Sequence, residues 1–196
     1  MSLPSESAPS THAPSDAQPE YDQRERALLL QWAHEAILAK FDRHELGSRE
    51  APAHLAEPRG VFTTLYWHDK LRGCVGYPLA IMPLYRAVME TAQSAAFDDP
   101  RFHPLSREET ADLKISLSVL SPMTPISPEQ VEVGRHGLLI SDGARRGLLL
   151  PQVPVEHGWG RITFLDQTCK KAGLPLDAWR HAAKIEAFTA EVFGEV

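Results

Sequence analysis

Residues 61–76 constrain the fold more than any other stretch of the chain. Val61-Phe62-Thr63-Thr64-Leu65-Tyr66-Trp67 is apolar, β-branched and aromatic, His68-Asp69-Lys70 is polar, and Leu71-Arg72-Gly73-Cys74-Val75-Gly76 resumes the apolar pattern. Such runs on either side of a short polar turn predict the two strands of a hairpin. Glycine within a strand marks a bulge or a close approach by another group. Gly73 and Gly76 are therefore expected to admit a ligand to Cys74. Arg72 stands two residues away on an extended segment, which predicts that it shares a face with the thiol. A guanidinium there would favour a thiolate, and so a nucleophile or soft ligand. The competing structural readings are a small buried hydrophobe for Cys74 and a surface ion pair with a loop carboxylate for Arg72.

Residues 1–20 are Ser, Pro, Ala and other residues with little to bury, so a disordered tail is expected there and a single domain over residues 21–196. From Asp22, a plausible N-cap, Ala27, Leu28, Trp32, Ile37, Leu38 and Phe41 recur at helical spacing, with Gly47 beyond the end. Pro83 suits the first turn of a helix reaching about Ala96. Its face of Leu84, Ala87, Val88, Thr91, Ala92 and Ala95 is small enough to pack close to a sheet. Ser106 and Glu109 have capping-box spacing. Ile115–Val119 alternates as a strand in the middle of a sheet. Short strands are expected at Val131–Val133, Gly137–Ile140 and Gly147–Leu150, the last two joined through Asp142-Gly143. A single helix is expected from Pro154 to Ala172, with Ile162, Leu165 and Cys169 on its apolar stripe and Gly173 at its end. A strand over 184–193 closes the chain.

Helices and hairpins alternating without βαβ regularity, and without a glycine-rich phosphate loop, predict an α+β fold with a mainly antiparallel sheet and packed helices. A chain of 196 residues with 43% apolar content is long enough for one good core. A net charge of −6 argues against non-specific nucleic-acid binding and attraction to anionic membranes. Two distant cysteines and no long apolar run indicate a reducing compartment, with the cytoplasm as the expected location. Arg145-Arg146 and Lys170-Lys171 read as solvated surface pairs. The histidines lack ligand-pair spacing, so neither a metal nor a cofactor is expected.

A hairpin thiol with one guanidinium has no general acid or base, so two later turns are candidates to complete the site. Asp98, Asp99 and Arg101 lie at a helix end; their structural alternative is a turn that fixes its own backbone through an Arg–carboxylate fork. Glu156-His157-Gly158-Trp159 offers a carboxylate, an imidazole and an indole within four residues, with Glu156 a candidate for acid–base work and a helix-initiating carboxylate as its alternative. Trp159 is a candidate binding residue. Cys169, on an apolar stripe, reads as core.

Leu71-Arg-Gly-Cys-Val-Gly76, Asp98-Asp-Pro-Arg-Phe102, Ser106-Arg-Glu-Glu109, Gly147-Leu-Leu-Leu-Pro-Gln-Val153, Glu156-His-Gly-Trp159 and Phe164-Leu-Asp-Gln-Thr-Cys-Lys-Lys-Ala-Gly-Leu174 together resemble the AMMECR domain family, over roughly residues 22–193. The bacterial members of that family are called AmmeMemoRadiSam system protein A. The resemblance implies an α+β fold with one larger and one smaller lobe. It also implies membership of a system with a Memo-like protein and a radical S-adenosylmethionine protein. Two roles are compatible with it: an enzyme using Cys74 and Arg72 in a cleft on a small molecule, protein side chain or base, and a non-catalytic adaptor or ligand-binding module. His103 stands where the family usually has proline, and Gly160 where an acidic residue is common, so neither is taken as a site.

Overall fold

The computed structural model describes residues 19–44 and 50–195. Residues 1–18 of the expected tail, and Gly47, lie outside the described residues.

Helix α1 (Gln23–Phe41) starts at the expected cap: the Asp22 carboxylate accepts from the Glu25 N–H, and the Glu25 side chain accepts from the Asp22 N–H. Its buried face is Leu29, Trp32, Ala33, Ala36 and Ile37, whereas Ala27 and Leu38, expected on the stripe, are exposed. The run Leu28-Leu29-Leu30 supports more than one helical phase, and packing selects the one through Leu29.

Strands β1 (Val61–Trp67) and β2 (Lys70–Tyr77) form the expected hairpin, turned by His68 and Asp69, both at positive φ. Helix α2 (Leu84–Phe97) follows Pro83, and all six residues of its expected apolar face are buried. Strand β3 (Leu113–Leu120) pairs with β1 and with β8 (Ala190–Gly194), giving an antiparallel sheet of order β2-β1-β3-β8. Val61, Leu65, Ile115, Leu117 and Val119 point from this sheet into a core shared with α1 and α2. Within it a buried Thr63–Thr91 hydroxyl pair is bonded at 2.7 Å.

A second antiparallel sheet joins β4 (Thr124–Pro125), β5 (Gly137–Asp142), β6 (Arg145–Leu149) and β7 (Lys184–Phe188) in the order β4-β7-β5-β6. The Asp142-Gly143 turn links β5 to β6 as expected. The short α3 (Gln152–Glu156) and α4 (Arg161–Lys171) follow, and Phe164, Leu165 and Cys169 of α4 close on Leu138 and Ile140 in a second core. Among the described residues the buried apolar side chains thus form two clusters rather than the one core anticipated from chain length.

Three expected elements differ. Val131–Val133 is not a strand. The helix expected over 154–172 is two helices separated by residues 157–160, because Gly158 turns at φ +63°; Ile162 is left 45% exposed, and Thr168 takes its place on the stripe. The closing strand is cut at Thr189, with β7 in one sheet and β8 in the other. Mutual bonds between Thr189 and Ser121 hold that crossing.

Candidate functional site

Strand β2 is an edge strand, so its outward N–H and C=O groups have no strand partner. At Cys74 both are taken by the turn after α2. The Cys74 N–H donates to Asp99 Oδ2 at 2.9 Å, and Arg101 Nη2 donates to the Cys74 carbonyl at 3.2 Å. Arg101 also grips the same carboxylate, Nε to Oδ1 at 3.0 Å and Nη2 to Oδ2 at 2.7 Å. The Asp99 side chain is 3% exposed. The Arg101 hydrogen bond, with further help from the Cys74 and Arg101 N–H groups, holds its carboxyl well below the usual carboxylate range against the opposing effect of burial. The Arg–carboxylate fork expected as the structural alternative for this turn is present, and it reaches across to seat Cys74. Asp98 takes no part: it is the exposed C-cap of α2.

Cys74 is partly exposed, and its sulfur accepts a hydrogen bond at 3.4 Å from Oγ1 of Thr64, the directly paired residue of β1. The strand register places Ser116 and then Gly194 next in the same row across the sheet. Cys74 therefore stands at one end of a row of small side chains, on the face away from α2.

Arg72 does not accompany the thiol as simple alternation predicts. The register slips between Leu65 and Tyr66, pairing Leu65 with Gly73 and Tyr66 with Leu71, so Arg72 is the extra residue of a bulge. Released from alternation, it forks onto Glu109, Nε to Oε1 at 2.7 Å and Nη2 to Oε2 at 3.1 Å. Glu109 accepts from the Ser106 N–H as well, which is half of the expected capping box. The fork pushes the Glu109 carboxyl below its ordinary value. Arg72, Pro100, Arg101, Phe102 and His103 line a shallow hollow of about 400 Å³ beside this pair.

The glycines serve packing rather than access. An added Cβ at Gly73 would stand 2.1 Å from the Ala95 carbonyl oxygen of α2, and at Gly76 it would meet the Phe62 ring at 2.3 Å. Gly73 is buried on the helix side of the sheet, away from the thiol's face.

The second expected turn is not brought to Cys74. Glu156, exposed at the end of α3, lines a hollow of about 320 Å³ with Arg135, Pro151 and Val192, in which neither Cys74 nor Arg72 takes part. Val192 lies on β8, three strand spacings or about 14 Å from β2. Trp159 packs on the second core and stacks on His157 at 4.6 Å. Thr64 and Glu109 are the site residues that sequence reasoning passed over as such. Glu109 was marked by its capping-box spacing and as part of the Ser106–Glu109 run of the resemblance, and Thr64 only by membership of a strand.

Among the described residues no group of three His, Cys, Asp or Glu side chains could hold a metal ion, and no helix is long and apolar enough to cross a membrane.

The two thiols are expected to behave differently. Cys169 is fully buried and burial pushes its thiol pKa up, so a neutral alkylating agent should label Cys74 first in the folded chain and Cys169 only on unfolding. Cys74→Ser should cost less than about 1 kcal/mol, because its hydroxyl reaches both Thr64 and water; Cys169→Ser should cost about 1–3 kcal/mol by placing a hydroxyl in an apolar core. Urea unfolding of the two variants checks this, and a larger loss for Cys74→Ser would make that residue core.

A family model described as AMMECR1 matches residues 30–193. A protein of Methanopyrus kandleri is 45% identical over 183 residues, covering 87% of this chain and 88% of its own. A protein of Aquifex aeolicus is 47% identical over 145 residues, covering 69% and 74%. The crystal structure of an uncharacterized protein from Pyrococcus horikoshii superposes with a TM-score of 0.73 at 42% identity, covering 86% of this chain and 90% of that one.

Proposed function

The chain belongs to the AMMECR1 family, and on that premise we propose that it is the A component of an AmmeMemoRadiSam-type system, presenting Cys74 to a partner rather than turning over a substrate alone. The partners in this reading are a Memo-like protein and a radical S-adenosylmethionine protein. The observation that carries it is the double pairing beside the thiol. Arg72 is forked onto Glu109 and Arg101 onto Asp99, so both cations are engaged in positioning β2 and its turn. A fork of that kind fixes geometry. Cys74 is thus held rigidly by its own peptide group while its side chain faces outward.

A second reading has one specific observation in its favour. The Thr64 hydroxyl donates to the Cys74 sulfur, an interaction that stabilises a thiolate once a base has removed its proton. In that reading the partner, or a bound substrate, supplies the base and Cys74 is the nucleophile of a joint active site.

Alkylation kinetics of the isolated chain separate the two. The presenting role predicts that Cys74 reacts with iodoacetamide at pH 7 within about threefold of a free thiol, whereas an autonomous catalytic cysteine reacts at least about tenfold faster. The faster rate would overturn the presenting role. If the slow rate is found, acceleration on adding a purified radical S-adenosylmethionine or Memo-like protein would support the joint site.

A further inference from the structure

We propose that the apolar cleft between the two sheets binds a small anionic molecule with an apolar body. It stands apart from the role of Cys74, since neither the thiol nor the residues that seat it line this cleft. The cavity measures about 490 Å³, within the roughly 300–1,000 Å³ typical of small-molecule sites. One wall is Phe62 and Leu79 from the first sheet and the chain leaving it; the other is Leu139, Leu148 and Leu149 from the second. Leu148, Leu149 and Leu150 form three consecutive leucines that the fold leaves only half covered, with Phe62 and Leu79 half covered opposite them. This apolar surface is concave and lies between lobes, where a ligand can be enclosed from two sides.

The charge at the rim gives the ligand its sign. Arg146 and Lys171 are the two charged residues lining the cavity, and their side chains make no ion pair or hydrogen bond among the described residues. Both border the cavity because Gly147 lets β6 touch the end of α4: an added Cβ at Gly147 would stand 2.3 Å from the Ala172 nitrogen and 2.7 Å from the Lys171 carbonyl carbon. Neighbouring carboxylates do not neutralise them. Asp142 is held by Arg145 at 2.9 Å, and Glu186 by Lys184 at 2.8 Å. Two cations without a partner among the described residues, over an apolar cavity on a chain of net charge −6, favour an anionic head group outside and an apolar body within.

Titration of the full chain with the fluorescent anion anilinonaphthalene sulfonate tests the assignment, with its uncharged analogue phenylnaphthylamine as the control. The expected result is saturable one-to-one binding that displaces the backbone amide resonances of Leu148–Leu150, Phe62 and Leu79, with the uncharged analogue bound more weakly. The double variant Arg146→Gln/Lys171→Gln should bind the anion about tenfold more weakly, while its thermal midpoint stays unchanged and its affinity for the uncharged analogue is retained. Competition by decanoate or by phenyl phosphate then distinguishes a carboxylate from a phosphate head group. Equal affinity for the two probes, unchanged affinity in the double variant, or amide shifts elsewhere would overturn the proposal. None of these outcomes bears on Cys74 alkylation.

Discussion

Gly73→Ala is expected to destabilise the protein by about 3 kcal/mol or more, a fall of about 6–12 °C in thermal midpoint for a chain of this size. Its new Cβ would be placed 2.1 Å from the Ala95 carbonyl oxygen and 3.0 Å from the Ala95 carbonyl carbon. Those are backbone atoms of α2, which no rotamer change can clear. Either α2 or β2 must move, and the Thr63–Thr91 hydrogen bond lies within the same packed layer. Gly160→Ala is the control: nothing lies within 4 Å of its added Cβ, and the exchange at a helix N-cap should cost less than about 1 kcal/mol. Calorimetry of the pair decides the matter. Equal midpoints would mean that helix and sheet do not approach as closely as described, and that Gly73 is available for the ligand role its sequence position suggested.

Asp99→Ala should remove about 2–4 kcal/mol, because it strands the Cys74 N–H and breaks the fork with Arg101. The figure stays below the upper end for a buried ion pair because Arg101, 55% exposed, can turn to water. Asp99→Asn keeps an acceptor for the Cys74 N–H and should cost less. Their pH dependence carries the sharper test. Folding lowers the Asp99 pKa, so in acid the unfolded chain takes up this proton first. The stabilisation is complete above the ordinary aspartate value of about 4 and is lost as pH falls further, through the folded-state value. Urea midpoints at pH 5.5 and pH 3 should therefore differ more in the parent than in Asp99→Asn. Parallel losses would show that Asp99 is not the group whose protonation loosens β2, and would leave Glu109, also shifted down by its arginine, as the main contributor.

Much of the fold was legible because local pattern and tertiary environment agree. The β1–β2 hairpin, α2 with its small-residue face and the central position of β3 follow from periods of two and about four that the buried layers preserve. The errors fall where one pattern served two environments. The apolar phase of residues 184–193 shifts at Ala187-Phe188, but no glycine, proline or polar turn interrupts the run, so it reads as one strand although the chain leaves one sheet for the other at Thr189. Leu28-Leu29-Leu30 fits more than one helical phase, and contact with α2 and β3 picked one.

For the site, the sequence by itself determined that a thiol sits in a hairpin strand near an arginine, that an acidic turn follows the next helix, and which family the chain resembles. Each of these is a property of neighbouring residues. The tertiary structure decided which side chains meet. A one-residue bulge turned Arg72 from Cys74 to Glu109, and the return of the chain from α2 made Asp99, rather than Asp98, the clamp on the Cys74 peptide. Three strand spacings carried the Glu156 hollow to the opposite edge of the sheet. Glycines that suggested an open slot were required instead by a helix carbonyl and a phenyl ring. The physical reason is common to all four: spacing along a chain fixes direction only while the backbone stays regular, whereas bulges, crossings and close packing are set by atoms far away in sequence.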